Sequence, residues 1–137
     1  MAPRGLPRPT DAELQILRVL WKIGPATVRQ VLERLGPGRK IGYTTVLKLM
    51  QIMMEKKLVR RDDSQRSHVY AAASGEVETQ GRLLDDLLRK AFGGSAARLV
   101  LQALSSKPAS AEEVAEIRRA LDELQDGPLD ESARGQK

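Results

Sequence analysis

The sequence predicts a mainly α-helical fold with one small β-hairpin, basic in its N-terminal half and helical and mildly acidic in the rest. Three observations carry that prediction. Helix start and stop signals recur along the chain. Hydrophobic residues make up 41% of the 137 residues but aromatics only 3%, so the core is built from Leu, Val, Ile, Met and Ala, which suits packed helices better than a large sheet. A single pair of short β-capable runs flanks a polar loop between Leu58 and Ala71.

In chain order, residues 1–9 hold three prolines and read as a flexible basic arm. Thr10-Asp11-Ala12-Glu13 is a capping box, in which the first side chain accepts from the fourth amide and the fourth side chain reaches back. The helix it opens runs to about Lys22, with Leu14, Leu17 and Trp21 on one face and Ile16 and Leu20 flanking, until Gly24-Pro25 stops it. A second box, Thr27-Val28-Arg29-Gln30, opens a short helix that turns Val28, Val31, Leu32 and Leu35 inward and ends at Gly36-Pro37-Gly38. A third helix from about Tyr43 or Thr44 to Lys57 has an apolar back of Val46, Leu49, Met50 and Met53. Its front is Thr44, Lys48, Gln51 and Glu55, with Thr45 at the shoulder: hydrogen-bonding side chains without bulky apolar groups.

Leu58-Val59-Arg60-Arg61 and Ser67-His68-Val69-Tyr70-Ala71 then pair across the polar loop 62–66 as a hairpin. Three helices followed by a basic hairpin is the order of a winged helix-turn-helix, expected over 10–74. Residues 75–126 predict three further helices: one from about Val77 to Phe92, one capped by Ser95, and one opened by the box Ser110-Ala111-Glu112-Glu113. These are too few to enclose their own apolar faces. Leu84, Leu87, Leu88, Leu99, Leu101, Leu104, Ile117 and Leu121 are therefore expected to bury against a second copy, as a homodimer. The tail 127–137 is predicted to be disordered.

Charge points to a partner. Residues 1–70 carry 14 Lys/Arg against six Asp/Glu, whereas residues 71–137 carry nine against 12. A basic half suits a polyanion. A major groove admits one α-helix and offers base edges to side chains near its N-terminus, so Thr44, Thr45, Lys48 and Gln51 are the candidate base readers. Tyr43 and the cations Arg39, Lys40, Arg60, Arg61 and Arg66 are candidates for the phosphates and the adjacent minor groove. The same residues admit plainer readings: Thr44 as a helix cap, the front of the third helix as a solvated face, and the basic hairpin as an edge protected by charge. A protein-interaction module and an RNA-binding winged helix are the competing functions. The first lacks aromatic or apolar anchors on that front, while charge alone does not separate RNA from DNA.

Enzyme, metal and membrane classes find little support. There is no cysteine and a single histidine, so disulfide scaffolds and His/Cys metal sites have no ligands, and no cofactor is expected. Asp85-Asp86 and Glu112-Glu113 are adjacent, so they diverge on a helix and make poor acid/base pairs. Gly36-Pro37-Gly38-Arg39-Lys40 lacks the spacing of a phosphate loop. Neither a membrane-length apolar run nor a signal-peptide pattern is present, and a cytoplasmic location is expected. Met50, Met53, Met54 and Trp21 read as core, and His68 as a partly exposed strand residue.

Several segments together resemble the penicillinase-repressor (BlaI/MecI) family, which includes copper-responsive relatives. They are Thr10 to Leu14, Val19-Leu20-Trp21, Gly24-Pro25, Thr27 to Val31, Gly42-Tyr43-Thr44-Thr45-Val46, Leu58-Val59, Val69-Tyr70 and Phe92-Gly93-Gly94-Ser95. The likeness covers residues 8–73 and, less specifically, the remainder to about Gln125. It implies a homodimeric winged-helix repressor on double-stranded operator DNA, an inverted repeat of TACA/TGTA type. By the same match, Tyr43, Thr44, Thr45 and Lys48 lie on the recognition helix, and Arg60, Arg61 and Arg66 on or beside the wing. The chain departs from the family pattern in three ways. The Asn-Phe pair at which β-lactam-responsive members are cleaved is replaced by the run Leu99 to Leu104, which argues against a membrane sensor-protease partner. The paired cysteines of copper-responsive members are missing, which excludes copper sensing. Lys57 stands where many members have glycine, so the third helix must end in a left-handed Lys, at about 1 kcal/mol, or cap differently.

Overall fold

The computed structural model describes residues 8–36 and 41–126. The arm up to residue 7, the phosphate anchors expected at Arg39 and Lys40, and the tail 127–137 lie outside the described residues. The elements are α1 (Asp11–Ile23), α2 (Val28–Leu35), α3 (Tyr43–Glu55), β1 (Val59–Asp62), β2 (Val69–Ala72), α4 (Glu76–Ala91), α5 (Ala96–Ser106) and α6 (Ala111–Asp126). The chain divides into two compact units between Asp86 and Leu87, inside α4.

The capping signals act as the sequence predicts. The Glu13 amide donates to Thr10 Oγ1 at 3.2 Å and the Thr10 amide to Glu13 Oε1 at 2.9 Å. Thr27 and Gln30 repeat this at 3.2 and 2.9 Å, and Ser110 and Glu113 at 3.1 Å each way. Ser95 Oγ accepts from the Arg98 amide at 3.1 Å. Each cap satisfies an amide that the helix ladder leaves open and contributes about 1 kcal/mol.

In the first unit α1 packs on α2, α3 and β2, while α2 packs on α3 and α3 on β1. Ile16, Leu17, Leu20, Val28, Val31, Val46, Met50, Met53, Leu58, Val59 and Tyr70 are all buried. The inward face of α1 is rotated from the expected one: Ile16, Leu17 and Leu20 form its centre, and Leu14 and Trp21 are half-buried at its edges. The indole explains the shift, because Trp21 Nε1–H donates to the Ser74 carbonyl at 2.9 Å. A ring that must satisfy a polar edge sits best at the margin of a core. On the same face Glu13 is only 2% exposed and receives Lys56 Nζ at 2.7 Å, so one ion pair ties the start of α1 to the end of α3. Its burial is tolerable because the carboxylate also accepts the Thr10 amide.

Lys57 takes the left-handed option, with φ 66°, alone among the described non-glycine residues. The Leu58 amide reaches the Met53 carbonyl at 2.8 Å and the Lys57 amide the Met54 carbonyl at 3.0 Å. This is the hydrogen-bond pattern of a Schellman ending with Lys in the glycine position. The turn delivers Leu58 and Val59 into the core and starts β1. β1 and β2 are antiparallel, with Val59 opposite Ala72 and Arg61 opposite Tyr70. Ala26, between α1 and α2, adds a one-residue third strand: its amide donates to the Tyr70 carbonyl at 2.9 Å and its carbonyl accepts the Tyr70 amide at 2.8 Å. Beyond α4, Gly93 and Gly94 adopt left-handed φ of 59° and 84° and turn the chain into α5. Neither α5 nor α6 has a buried residue.

Candidate nucleic-acid interface

The candidate surface is assembled around the N-terminus of α3. Gly42 is the N-cap and no side chain caps the helix. Thr44 is therefore not the cap, and its hydroxyl, like that of Thr45, is free of that duty. Burying Val46, Met50 and Met53 turns Thr44, Thr45, Lys48 and Gln51 outward, and all four are exposed. The uncapped first turn leaves amide donors and the positive end of the helix dipole at this edge, so the α3 N-terminus suits an anion.

Two neighbouring elements frame it. From α2, the Arg29 guanidinium carbon lies 5.4 Å from the Tyr43 ring centroid, a cation–π distance. From the hairpin, Arg66, Ser67 and His68 face Thr27, Arg29 and Tyr43 across a cleft of ≈ 390 Å³. Arg60 is exposed on β1 and Arg66 at the hairpin tip. Among the described residues no carboxylate pairs with Arg29, Lys48, Arg60 or Arg66. The structure thus brings Tyr43, Thr44, Thr45, Lys48, Gln51, Arg60 and Arg66 to exposed positions on α3 and the hairpin.

Arg61 is placed differently. It shares the inward strand face with Val59, is half-buried, and its Nε lies 2.6 Å from Asp63 Oδ1. Hydrogen bonds to Asp63 and then to the Tyr70 hydroxyl hold its pKa above the ordinary arginine value. Hydrogen bonds from the Ser64 hydroxyl and then from the Ser64 amide, the latter at 2.9 Å, hold the pKa of the Asp62 carboxylate below the usual aspartate value. His68 lies in the hairpin tip, just before β2, with Nε2 3.8 Å from Asp63 Oδ1.

Arg29 and Thr27 are absent from the candidates that the sequence supplies. A signal for Arg29 was there: a cation in the first turn of a helix opposes the dipole, so nothing within the helix itself favours it. Its proximity to Tyr43 depends on how α2 crosses α3, which no local pattern reports.

Three helices, a bridging residue and a two-stranded wing, with a polar front on the third helix between exposed cations, define a winged helix-turn-helix protein. Residues 9–123 match the family described as penicillinase repressor. The chain is 35% identical over 123 residues to the transcriptional regulator BlaI of Mycobacterium tuberculosis, covering 89% of this chain and 88% of that protein. It is 23% identical over 120 residues to the penicillinase repressor of Bacillus licheniformis, covering 88% and 94%. A solution structure of the DNA-binding domain of the repressor BlaI aligns with TM-score 0.47 and 22% identity, over 54% of this chain and 90% of that one. The chain belongs to the penicillinase repressor family, whose members are transcriptional repressors and not enzymes. No helix among the described residues is long and apolar enough to cross a membrane.

Proposed function

We propose that this DNA-binding repressor acts as a homodimer on an inverted-repeat operator of TACA/TGTA type, each copy laying α3 in a major groove and blocking polymerase. The observation that carries the reading is the front of α3: four exposed hydrogen-bonding side chains, Thr44, Thr45, Lys48 and Gln51, backed by core and flanked by the exposed cations Arg29, Arg60 and Arg66. In this reading the α3 side chains meet base edges and the flanking cations meet phosphates. Tyr43, with Arg29 over its ring, orients one phosphate contact. Arg39 and Lys40 add phosphate anchors. Arg61 first orders the wing through Asp63, so its phosphate contact ranks behind those of Arg60 and Arg66.

The second copy is favoured by what α4, α5 and α6 leave uncovered. Leu84, Leu87, Leu101, Leu104 and Leu121 are 42 to 64% exposed, and Leu88, Leu99 and Ile117 are only partly covered. An isologous interface would bury each of these faces in its counterpart. Two linked half-sites then convert weak single contacts into useful affinity through effective concentration. The organisation proposed is residues 10–74 for DNA and 75–126 for dimerisation, in the cytoplasm, without a cofactor.

The test is fluorescence anisotropy with a TACA/TGTA inverted repeat and a scrambled duplex across a salt series. A preference of about 10³-fold or more is expected. If each copy neutralises about four phosphates, the log–log salt slope will be about −7. Lys48→Ala should cost about 1–3 kcal/mol on the repeat and less on the scrambled duplex. A slope shallower than about −2, or no binding at low salt, would overturn the reading in favour of a protein-docking module. Preference for a hairpin RNA would overturn it in favour of RNA.

A further inference from the structure

We infer that the outer side of α1 carries a binding site for an amphipathic organic anion, a small molecule with one carboxylate, sulfonate or phosphate head on an apolar body. Here a cleft of ≈ 570 Å³ opens between α1, the end of α2 and the start of α4, and it contains no residue of α3 or of the hairpin. Its volume lies within the range of small-molecule sites, about 300–1,000 Å³.

Charge selects the sign of the occupant. Arg18 and Lys22 stand one turn apart on α1, and Arg34 on the last turn of α2 joins them in the lining. None has an ion-pair partner among the described residues, and Glu76 is the one acidic residue that lines the cleft. Like charges at this helical spacing repel. Lys22 and Arg34 each complement the dipole at the end of their helix, whereas Arg18 gains nothing from standing one turn before Lys22, and an anion held between the three would relieve that repulsion.

The apolar lining selects the body. Val19, Trp21, Ile23 and Leu35 are half-buried in the same cleft. An inorganic anion would use the cations and leave this surface wet, and a neutral apolar molecule would do the reverse. Only a molecule carrying both parts satisfies the site. The inference does not depend on the DNA reading, since the two surfaces share no residue.

Trp21 is the single tryptophan of the chain, so the site carries its own reporter. The experiment titrates the full-length protein with anilinonaphthalene sulfonate and, separately, with phenylnaphthylamine, the same ring system without the charge. Energy transfer from Trp21 is the readout. The sulfonate should saturate with transfer from Trp21 and bind about tenfold or more tightly than the neutral compound. Arg18→Gln, Lys22→Gln and Arg34→Gln combined should weaken the sulfonate by about tenfold or more and leave the neutral probe within about twofold. The melting curve should move little, because all three side chains are exposed. Gln15→Glu, which puts a second carboxylate in the lining, should weaken the sulfonate independently. The inference is overturned if the neutral probe binds as tightly as the sulfonate, if the combined variant retains the parent affinity for the sulfonate, or if bound sulfonate shows no transfer from Trp21.

Discussion

The helices of the first unit and those that follow it are amphipathic to a similar degree, yet they end in different environments. On α1, α2 and α3 the apolar faces meet one another and the hairpin, and side chains such as Val31, Val46 and Met50 are 0% exposed. On α5 and α6 no residue is buried, and Leu101, Leu121 and Leu124 stay 64, 58 and 70% exposed. An apolar stripe states that a helix has something to cover; it does not state what covers it. In the first unit the cover comes from the same chain, while the later helices leave apolar side chains uncovered among the described residues.

The strongest way to break this comparison is to make the uncovered faces charged. Leu101→Asp with Leu121→Asp should give a monomer in sedimentation equilibrium and lower operator affinity by about 10²-fold or more, because the second half-site loses its effective concentration. A monomer that keeps full operator affinity would show that α5 and α6 have no part in binding. Truncation sharpens the contrast further. Ile16→Ala should cost about 2–5 kcal/mol in urea unfolding, by the same amount at any protein concentration. Leu104→Ala should cost stability that changes with protein concentration, as linkage to association requires. Equal, concentration-independent losses at both sites would erase the difference between the units.

Smaller effects belong to the local geometry of the first unit. Lys57→Gly should raise stability by about 1 kcal/mol, since glycine adopts the left-handed turn after α3 without a Cβ penalty. A loss of melting temperature instead would mean that the Lys57 side chain contributes more than its backbone costs. The smallest effect is confined to the wing. Asp62 has a lowered pKa, so its contribution to hairpin order is complete above the unfolded aspartate value and is lost as pH falls through the folded one, below about pH 4. The Ser64 amide resonance should shift in that window, and Asp62→Asn should abolish the shift.

Much of the fold was legible in the sequence because its cues are local. Thr10 with Glu13, Thr27 with Gln30 and Ser110 with Glu113 are four-residue signals that act within a single turn, and each forms the expected reciprocal pair. The polar front of α3 follows from the positions of Val46, Met50 and Met53, since burying one side of a helix exposes the other. Lys57 was legible as a choice between a strained Lys and another cap, and the structure takes the strained Lys.

The rest depended on which elements meet. Spacing around α1 suggested a core face centred on Leu14, Leu17 and Trp21; the acceptor that moves Trp21 to the edge is the Ser74 carbonyl, 53 residues away. The Ala26 bridge to Tyr70 has no sequence signature, since one residue cannot show a strand pattern. Arg29 reaches Tyr43 only because α2 crosses α3, and Arg61 is separated from Arg60 by the alternation of the strand and by Asp63. By itself the sequence determined the helices, their caps, the hairpin and the sign of the charge, because hydrogen bonds and periodicities within a few residues set them. The tertiary structure alone decided which charged side chains are spent on one another and which stay free for a partner, because ion pairing and burial depend on distances between residues far apart in the chain.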